Sequence, residues 1–212
     1  MKGMEENRVM RKQRKKIYAR YIKRSFDMIL CICALPFFLI LYVVVGAAIK
    51  LDDGGPIFYK AERIGKDETL LRMYKFRSMK VDAPNILNAD GSTFNSANDE
   101  RVTRVGKFIR KTSIDETPQI LNVLKGEMSI IGPRASGYDA LPTYKDDERA
   151  KMKVVPGITG YTQAYFRNSL TVREKRLRDA WYAEHISFLL DIRIFFKTVQ
   201  TVLKGKNIYT NE

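Results

Sequence analysis

The chain has 212 residues, of which 45% are hydrophobic and 11% aromatic, and it carries a formal net charge of +14. That composition excludes a disordered polymer, and the length suits one compact domain with a short appendage. Cys31 and Cys33 are the only cysteines and His185 the only histidine, which excludes a disulfide scaffold and a zinc site and fits a reducing compartment.

Residues 1–27 form a basic arm, with ten Lys or Arg against three acids, half of the net excess. Such an arm neutralises either nucleic acid phosphates or the anionic headgroups of a cytoplasmic leaflet. The adjoining segment favours the membrane: Met28 to Ile49 contains no formal charge, and its 22 residues match the roughly 20 needed to cross a hydrocarbon core. A buried core helix of that length would be unusual in so small a domain. A cleavable signal sequence fits poorly, because the apolar run exceeds the usual core of about 7–15 residues. Pro36 lies inside the run, where it removes a helix hydrogen bond and crowds the preceding turn. Two topologies are compatible with it, a tilted span or a helix-break-helix that dips into one leaflet and returns. Basic residues on both flanks, including Lys50, Lys60, Arg63 and Lys66, favour two cytoplasmic ends and therefore the dip.

After the turn signal Asp52 to Pro56, Ile57 to Lys60 and Leu70 to Met79 read as short strands. Alternation in the second puts Lys75 and Arg77 on one face, which is either a solvated face or a pair of cations aimed at a ligand. Residues 82–100, rich in Asp, Asn, Ser and Gly, read as a surface loop. A helix with a buried stripe of Val102, Val105, Phe108 and Ile109 comes next.

The segment Ser113-Ile114-Asp115-Glu116-Thr117-Pro118-Gln119 carries most of the chemistry. Thr117 reads as an N-cap and Pro118 as a first helical residue, with Gly126 as the stop. Asp115 and Glu116 then sit before a helix N-terminus, a place that favours carboxylates and phosphates alike. The simpler alternative is a capping box between Ser113 and Glu116. Gly132-Pro133-Arg134 and Pro156 to Gly160 are turn-rich and either ordinary or anion-cradling. From Arg173 to Leu203 a helical pattern exposes a broad aromatic face, suited to a core or to the headgroup region.

Together these residues resemble the bacterial sugar transferase family, monotopic polyprenyl-phosphate phosphoglycosyl transferases. The resemblance rests on Lys23 to Asp27, Ile49 to Asp52, Glu62 to Lys66, Tyr74 to Met79, Arg101 to Gln119, Ile131 to Arg134 and Pro156 to Gly160, in that order. It implies an α+β fold: the basic arm (1–27), a re-entrant membrane helix-break-helix (28–50), and a small, mainly helical cytoplasmic catalytic domain (51–212) with short strands and interfacial amphipathic helices. It also implies transfer of a phosphosugar from a UDP-sugar to undecaprenyl phosphate at the cytoplasmic face of the bacterial inner membrane, as the first membrane step of capsule or exopolysaccharide assembly.

By the same resemblance Asp115 is the nucleophile that forms an aspartyl-phosphosugar and releases UMP. Glu116 holds magnesium, whose octahedral shell suits one or two carboxylates plus phosphate oxygens. Lys75, Arg77, Arg110, Arg134 and Arg167 become phosphate or nucleotide contacts, with Asp179 and Asp191 in or behind the site. Two residues depart from the family pattern. Pro36 follows Leu35 rather than a serine and lies about a turn early, and Ala135 stands where a second proline is common. A non-enzymatic membrane scaffold is the competing reading. Nucleic acid binding leaves the apolar segment unexplained. The sugar and the oligomeric state are not legible.

Overall fold

The computed structural model describes residues 17–84, 86, 94, 96, 98–166 and 169–203. It is a mixed helix and sheet fold organised on one long helix, α1 (Lys23–Asp53), entered through a π-helical turn at Tyr18–Ile22. At about 1.5 Å per residue, 31 residues reach roughly 46 Å, longer than a hydrocarbon core is thick. Pro36 lies inside α1 without ending it, so the sequence-based break is not a boundary of the element. The helix stops at Gly54, whose φ of 72° is the left-handed conformation a C-cap favours.

One stripe of α1 is buried and the rest is not. Asp27, Cys31, Phe38, Val45 and Ile49 recur at spacings of four and seven and face the domain. Ile29, Leu30, Ile32, Phe37, Leu39, Ile40, Val43 and Val44 point away from it and are exposed. A soluble helix would place polar residues there; this one is apolar all round.

Beneath the buried stripe lies an antiparallel hairpin of β1 (Phe58–Ile64) and β2 (Leu70–Phe76), in register from Phe58 opposite Phe76 to Ile64 opposite Leu70. Both strands run where the sequence placed strands, β1 four residues further and β2 three residues less far. Phe76 is 1% exposed and meets the rings of Phe38 and Phe58, and Phe58 stacks on Tyr42. Burying one such ring contributes about 1.5–3 kcal/mol, so this aromatic stack fixes the helix on the hairpin.

The remaining elements wrap this core. Helix α2 (Arg104–Lys111) begins at Thr103, whose hydroxyl accepts from Gly106 N at 2.9 Å. Ile109 is buried as its periodicity requires, but Phe108 is 62% exposed. A 3-10 turn, Ile114–Glu116, leads to α3 (Gln119–Lys125), which ends at Gly126 with φ 86°. Strands β3 (Ser129–Ile131) and β4 (Gly157–Thr159) pair in parallel, with Ser129 opposite Gly157. A Cβ on Gly157 would collide with Gly132 N, so only glycine permits the two backbones to approach this closely. The short α4 (Tyr161–Tyr165), then α5 (Val172–His185) and α6 (Phe188–Leu203), complete the described residues, and the helical pattern from Arg173 onward is two helices broken around Ile186.

Polar side chains tie both ends of α1 to the domain. Near its start Lys23 donates to Asp191 at 2.6 Å, Arg24 donates to the carbonyls of Val123 and Leu124 at the end of α3, and Asp27 accepts from Ser129 Oγ and Ile130 N. Near its end Asp52 accepts from Val105 N, and Asp53 takes the Arg77 guanidinium in a bidentate pair.

Candidate active site

The hairpin, the 3-10 turn and the β3–β4 connection converge on Asp115 and Glu116. Lys75, near the end of β2, projects toward the turn: its Nζ lies 2.7 Å from Glu116 Oε1 and 3.9 Å from Asp115 Oδ2. The turn is set by Ser113, at φ 59°, which redirects the chain between α2 and the dyad. Helix α3 begins at Gln119, one residue after the expected start. The Thr117 hydroxyl donates back to the Ile114 carbonyl rather than capping the helix. The capping-box alternative is not realised, because Ser113 makes no side-chain cap and the Glu116 carboxylate engages Lys75.

The two carboxylates are electrostatically unlike. Burial pushes the Asp115 carboxyl up and Glu116 adds to this, while Lys75 and Arg110 draw it down, and the balance lies at about 6. Burial acts on Glu116 as well, but Lys75, Arg134 and Arg63 outweigh it and hold Glu116 down at about 2. Adjacent residues thereby become one permanent anion and one carboxylate poised near neutrality, the separation that lets two acids take different roles. The direct hydrogen bond explains the asymmetry: Lys75 gives it to Glu116, and Asp115 receives only the longer-range attraction.

The other singled-out residues fall into three groups. Arg110 and Arg134 act electrostatically on the dyad, and no ion pair engages either among the described residues. Arg77 points elsewhere: its guanidinium is committed to Asp53 and to the carbonyls of Pro56 and Met79. Asp179 and Asp191 are buried supports. Asp179 accepts from Arg134 N at 3.1 Å and Thr162 Oγ1 at 2.8 Å, while Lys151, 3.4 Å from Asp179, donates to the Arg134 carbonyl at 3.0 Å. The backbone of Arg134 is thus gripped at both N–H and C=O while its side chain stays exposed. Asp191 collects Tyr18, Lys23 and Tyr182, which binds α1 to α5 and α6. Arg167 lies outside the described residues.

Sequence reasoning counted Arg63 only among the cations flanking the apolar run and within a family motif, and gave it no part in the site, yet it acts on Glu116 from the end of β1. An antiparallel bridge to Gly137 and the bond from Ile64 N to Ser136 O bring it there. This long-range pairing has no local signal. Among the described residues no group of three His, Cys, Asp or Glu side chains forms a ready metal cage. The two adjacent carboxylates nevertheless fit magnesium, which is commonly held by one or two carboxylates together with substrate phosphates.

The family model for the bacterial sugar transferases matches residues 18–205, and the chain belongs to that family. Among its relatives are the undecaprenyl-phosphate galactose phosphotransferase of Salmonella typhimurium, 37% identical over 90% of this chain and 42% of that protein, and the UDP-N-acetylgalactosamine-undecaprenyl-phosphate N-acetylgalactosaminephosphotransferase of Aeromonas hydrophila, 40% identical over 89% and 45%. The uncharacterized sugar transferase EpsL of Bacillus subtilis is 38% identical over 88% of this chain and 90% of its own length. The chain therefore spans less than half the length of the first two relatives and most of the third.

Proposed function

We propose that the protein transfers a phosphosugar from a UDP-sugar to a polyprenyl phosphate, undecaprenyl phosphate by analogy with the relatives' names, through a covalent aspartyl-phosphosugar on Asp115. The observation that carries the reading is the unequal dyad: Lys75 Nζ lies 2.7 Å from Glu116 and 3.9 Å from the buried Asp115, so burial keeps the Asp115 carboxyl raised, at about 6, while Lys75, Arg134 and Arg63 hold Glu116 down. Above pH 6 Asp115 is ionised in a water-poor setting, the state a carboxylate nucleophile needs.

In the first half-reaction an Asp115 oxygen bonds to the phosphorus that carries the sugar. The bond from that phosphorus to the bridging oxygen breaks, and its electron pair leaves with UMP. Lys75, Arg110 and Arg134 are disposed to neutralise the charge that accumulates on the phosphate oxygens, with Arg167 as a further candidate. In the second half-reaction a phosphate oxygen of the polyprenyl phosphate attacks the same phosphorus and Asp115 leaves as a carboxylate. Glu116 is the residue that would hold magnesium, with Asp115 and the donor diphosphate close by. When bound, the ion supplies charge neutralisation for the diphosphate. Lys75 orients Glu116 for this task, and Asp179 with Lys151 fixes the segment that presents Arg134. Arg77 and Asp191 serve by anchoring α1.

The same reading puts the domain on the cytoplasmic face of the inner membrane, with α1 dipping into one leaflet and Pro36 near its deepest point. Its support is that both ends of α1 are tied to one globular body, through Lys23, Arg24 and Asp27 at one end and Asp52 and Asp53 at the other. A straight span would carry one end about 30 Å away from that body. The exposed apolar residues of α1 and of α6, joined where Phe26 meets Phe188 at 5.8 Å, would then face lipid. Asp115→Asn is expected to abolish transfer while the protein still sediments with membranes. Retained turnover in that variant would remove Asp115 from the mechanism.

A further inference from the structure

We infer that Arg63 is a phosphate-binding residue of the donor site, gripping, together with Arg134, the phosphate that departs with the nucleoside. The inference rests on the transfer reaction proposed above and adds a residue and a ligand group to it.

Two guanidinium groups are brought together here by backbone constraints that owe nothing to their charges. Arg63 lies on β1, where it bridges Gly137 in antiparallel fashion, and Ile64 N donates to Ser136 O at 2.9 Å. Arg134 is fixed from the other direction by Asp179 and Lys151. The Arg63 guanidinium lies beside Gly137, with Nη1 3.5 Å from where a Cβ would stand. The backbone of Arg63 is thereby paired three residues from Arg134, and burial first and the Arg134 charge second hold the Arg63 guanidinium below its ordinary range.

Neither the half-buried Arg63 nor the exposed Arg134 has an ion-pair partner within 4 Å among the described residues, whereas the cations buried most deeply do. Arg77 has Asp53, Lys23 has Asp191, Arg101 has Asp99, and Lys151 has Asp179. Among the described residues the one side-chain hydrogen bond from Arg63 is a 3.4 Å contact to its neighbour's carbonyl at Glu62. Asp139 and Glu116 attract Arg63 from further off, and Glu116 is already held by Lys75. A half-buried guanidinium with unused donors, under the field of a second one, is costly without an anion and well matched to a phosphate with one.

The division of labour follows from position. Lys75 contacts the dyad and Arg110 attracts Asp115, which suits both to the phosphorus under attack. Arg63 and Arg134 reach Glu116 from the β1 and β3–β4 side, and suit the neighbouring phosphate, on which negative charge builds as the bridging bond breaks.

The test uses the full chain in detergent or nanodiscs and UMP as the probe. Arg63→Met should weaken UMP binding by about tenfold or more, the size of a lost charged hydrogen bond. It should raise the donor KM similarly while leaving the acceptor KM unchanged, and Arg63→Lys should recover part of both. Thermal stability of Arg63→Met should hold or rise, because an unpaired cation beside Arg134 has been removed. UMP affinity and donor KM within twofold of the parent would overturn the inference, and so would a marked drop in melting temperature, which would make Arg63 a structural residue. If Asp115→Asn abolishes transfer while Arg63→Met leaves UMP binding intact, the inference alone fails and the reaction stands.

Discussion

Replacing Asp115 with Asn should make the protein more stable above pH 6 while removing its chemistry. Asp115 is 8% exposed, and its carboxyl titrates at about 6 in the fold against an ordinary 3.8. A carboxyl with a raised folded pKa binds its proton more tightly folded than unfolded. Its favourable contribution is complete below about pH 3.8, fades as the pH rises, and is gone above about 6. There the ionised group costs the fold on the order of 3 kcal/mol, since each pH unit by which the carboxyl is raised is worth about 1.36 kcal/mol. Asparagine carries no charge at any pH and escapes that cost. In a domain of this size each kcal/mol moves the melting temperature by about 2–4 °C, so Asp115→Asn should melt about 6–12 °C higher at pH 8. The gain should shrink steadily toward pH 4. Scanning fluorimetry in detergent across pH 4.5 to 8 measures it directly. A variant that melts at or below the parent at pH 8, or a difference that ignores pH, would show that Asp115 is not held in a strained ionised state.

Three further outcomes are expected from the same geometry. Lys75→Met removes the main attraction on Asp115, so the acid limb of the pH–rate profile should move above 6 and residual turnover should fall at least tenfold; an unmoved limb would exclude Lys75 from the dyad. Lys23→Met leaves the Asp191 carboxylate buried without its cation, a loss of about 3–5 kcal/mol that a melting curve records, and adding Asp191→Leu should restore part of it. Chelation should abolish transfer and magnesium restore it, while Glu116→Gln should raise the magnesium concentration needed for half-maximal rate; activity indifferent to chelators would remove the ion from the scheme.

Local signals carried a good part of this molecule. The uncharged run from Met28 to Ile49, the turn signal that holds Gly54 and the stop at Gly126 are written in a few neighbouring residues, and the structure places a helix end at each glycine. The hairpin was recognisable from β-rich runs, although its extent depended on the cross-strand pairing of Ile64 with Leu70. The features hidden from the sequence were long-range. Arg77 alternates with Lys75 along one run, and nothing local says that Asp53 claims it while Lys75 reaches the dyad. Phe108 fits the buried stripe by spacing, but only Ile109 of the pair turns inward and the Phe108 ring is left exposed. Arg63 acquires its neighbours only when β1 meets Gly137. Asp179 and Asp191 look alike as buried acids on helices, yet one holds a loop and the other holds α1.

The central claim is tested most directly by incubating the purified protein with UDP-sugars in the absence of any lipid acceptor, then mapping its peptides by mass spectrometry. The account predicts a phosphosugar adduct on Asp115, formed with one equivalent of UMP and discharged when polyprenyl phosphate is added. Transfer that proceeds at full rate with no enzyme-linked species, even after rapid acid quenching, would contradict it.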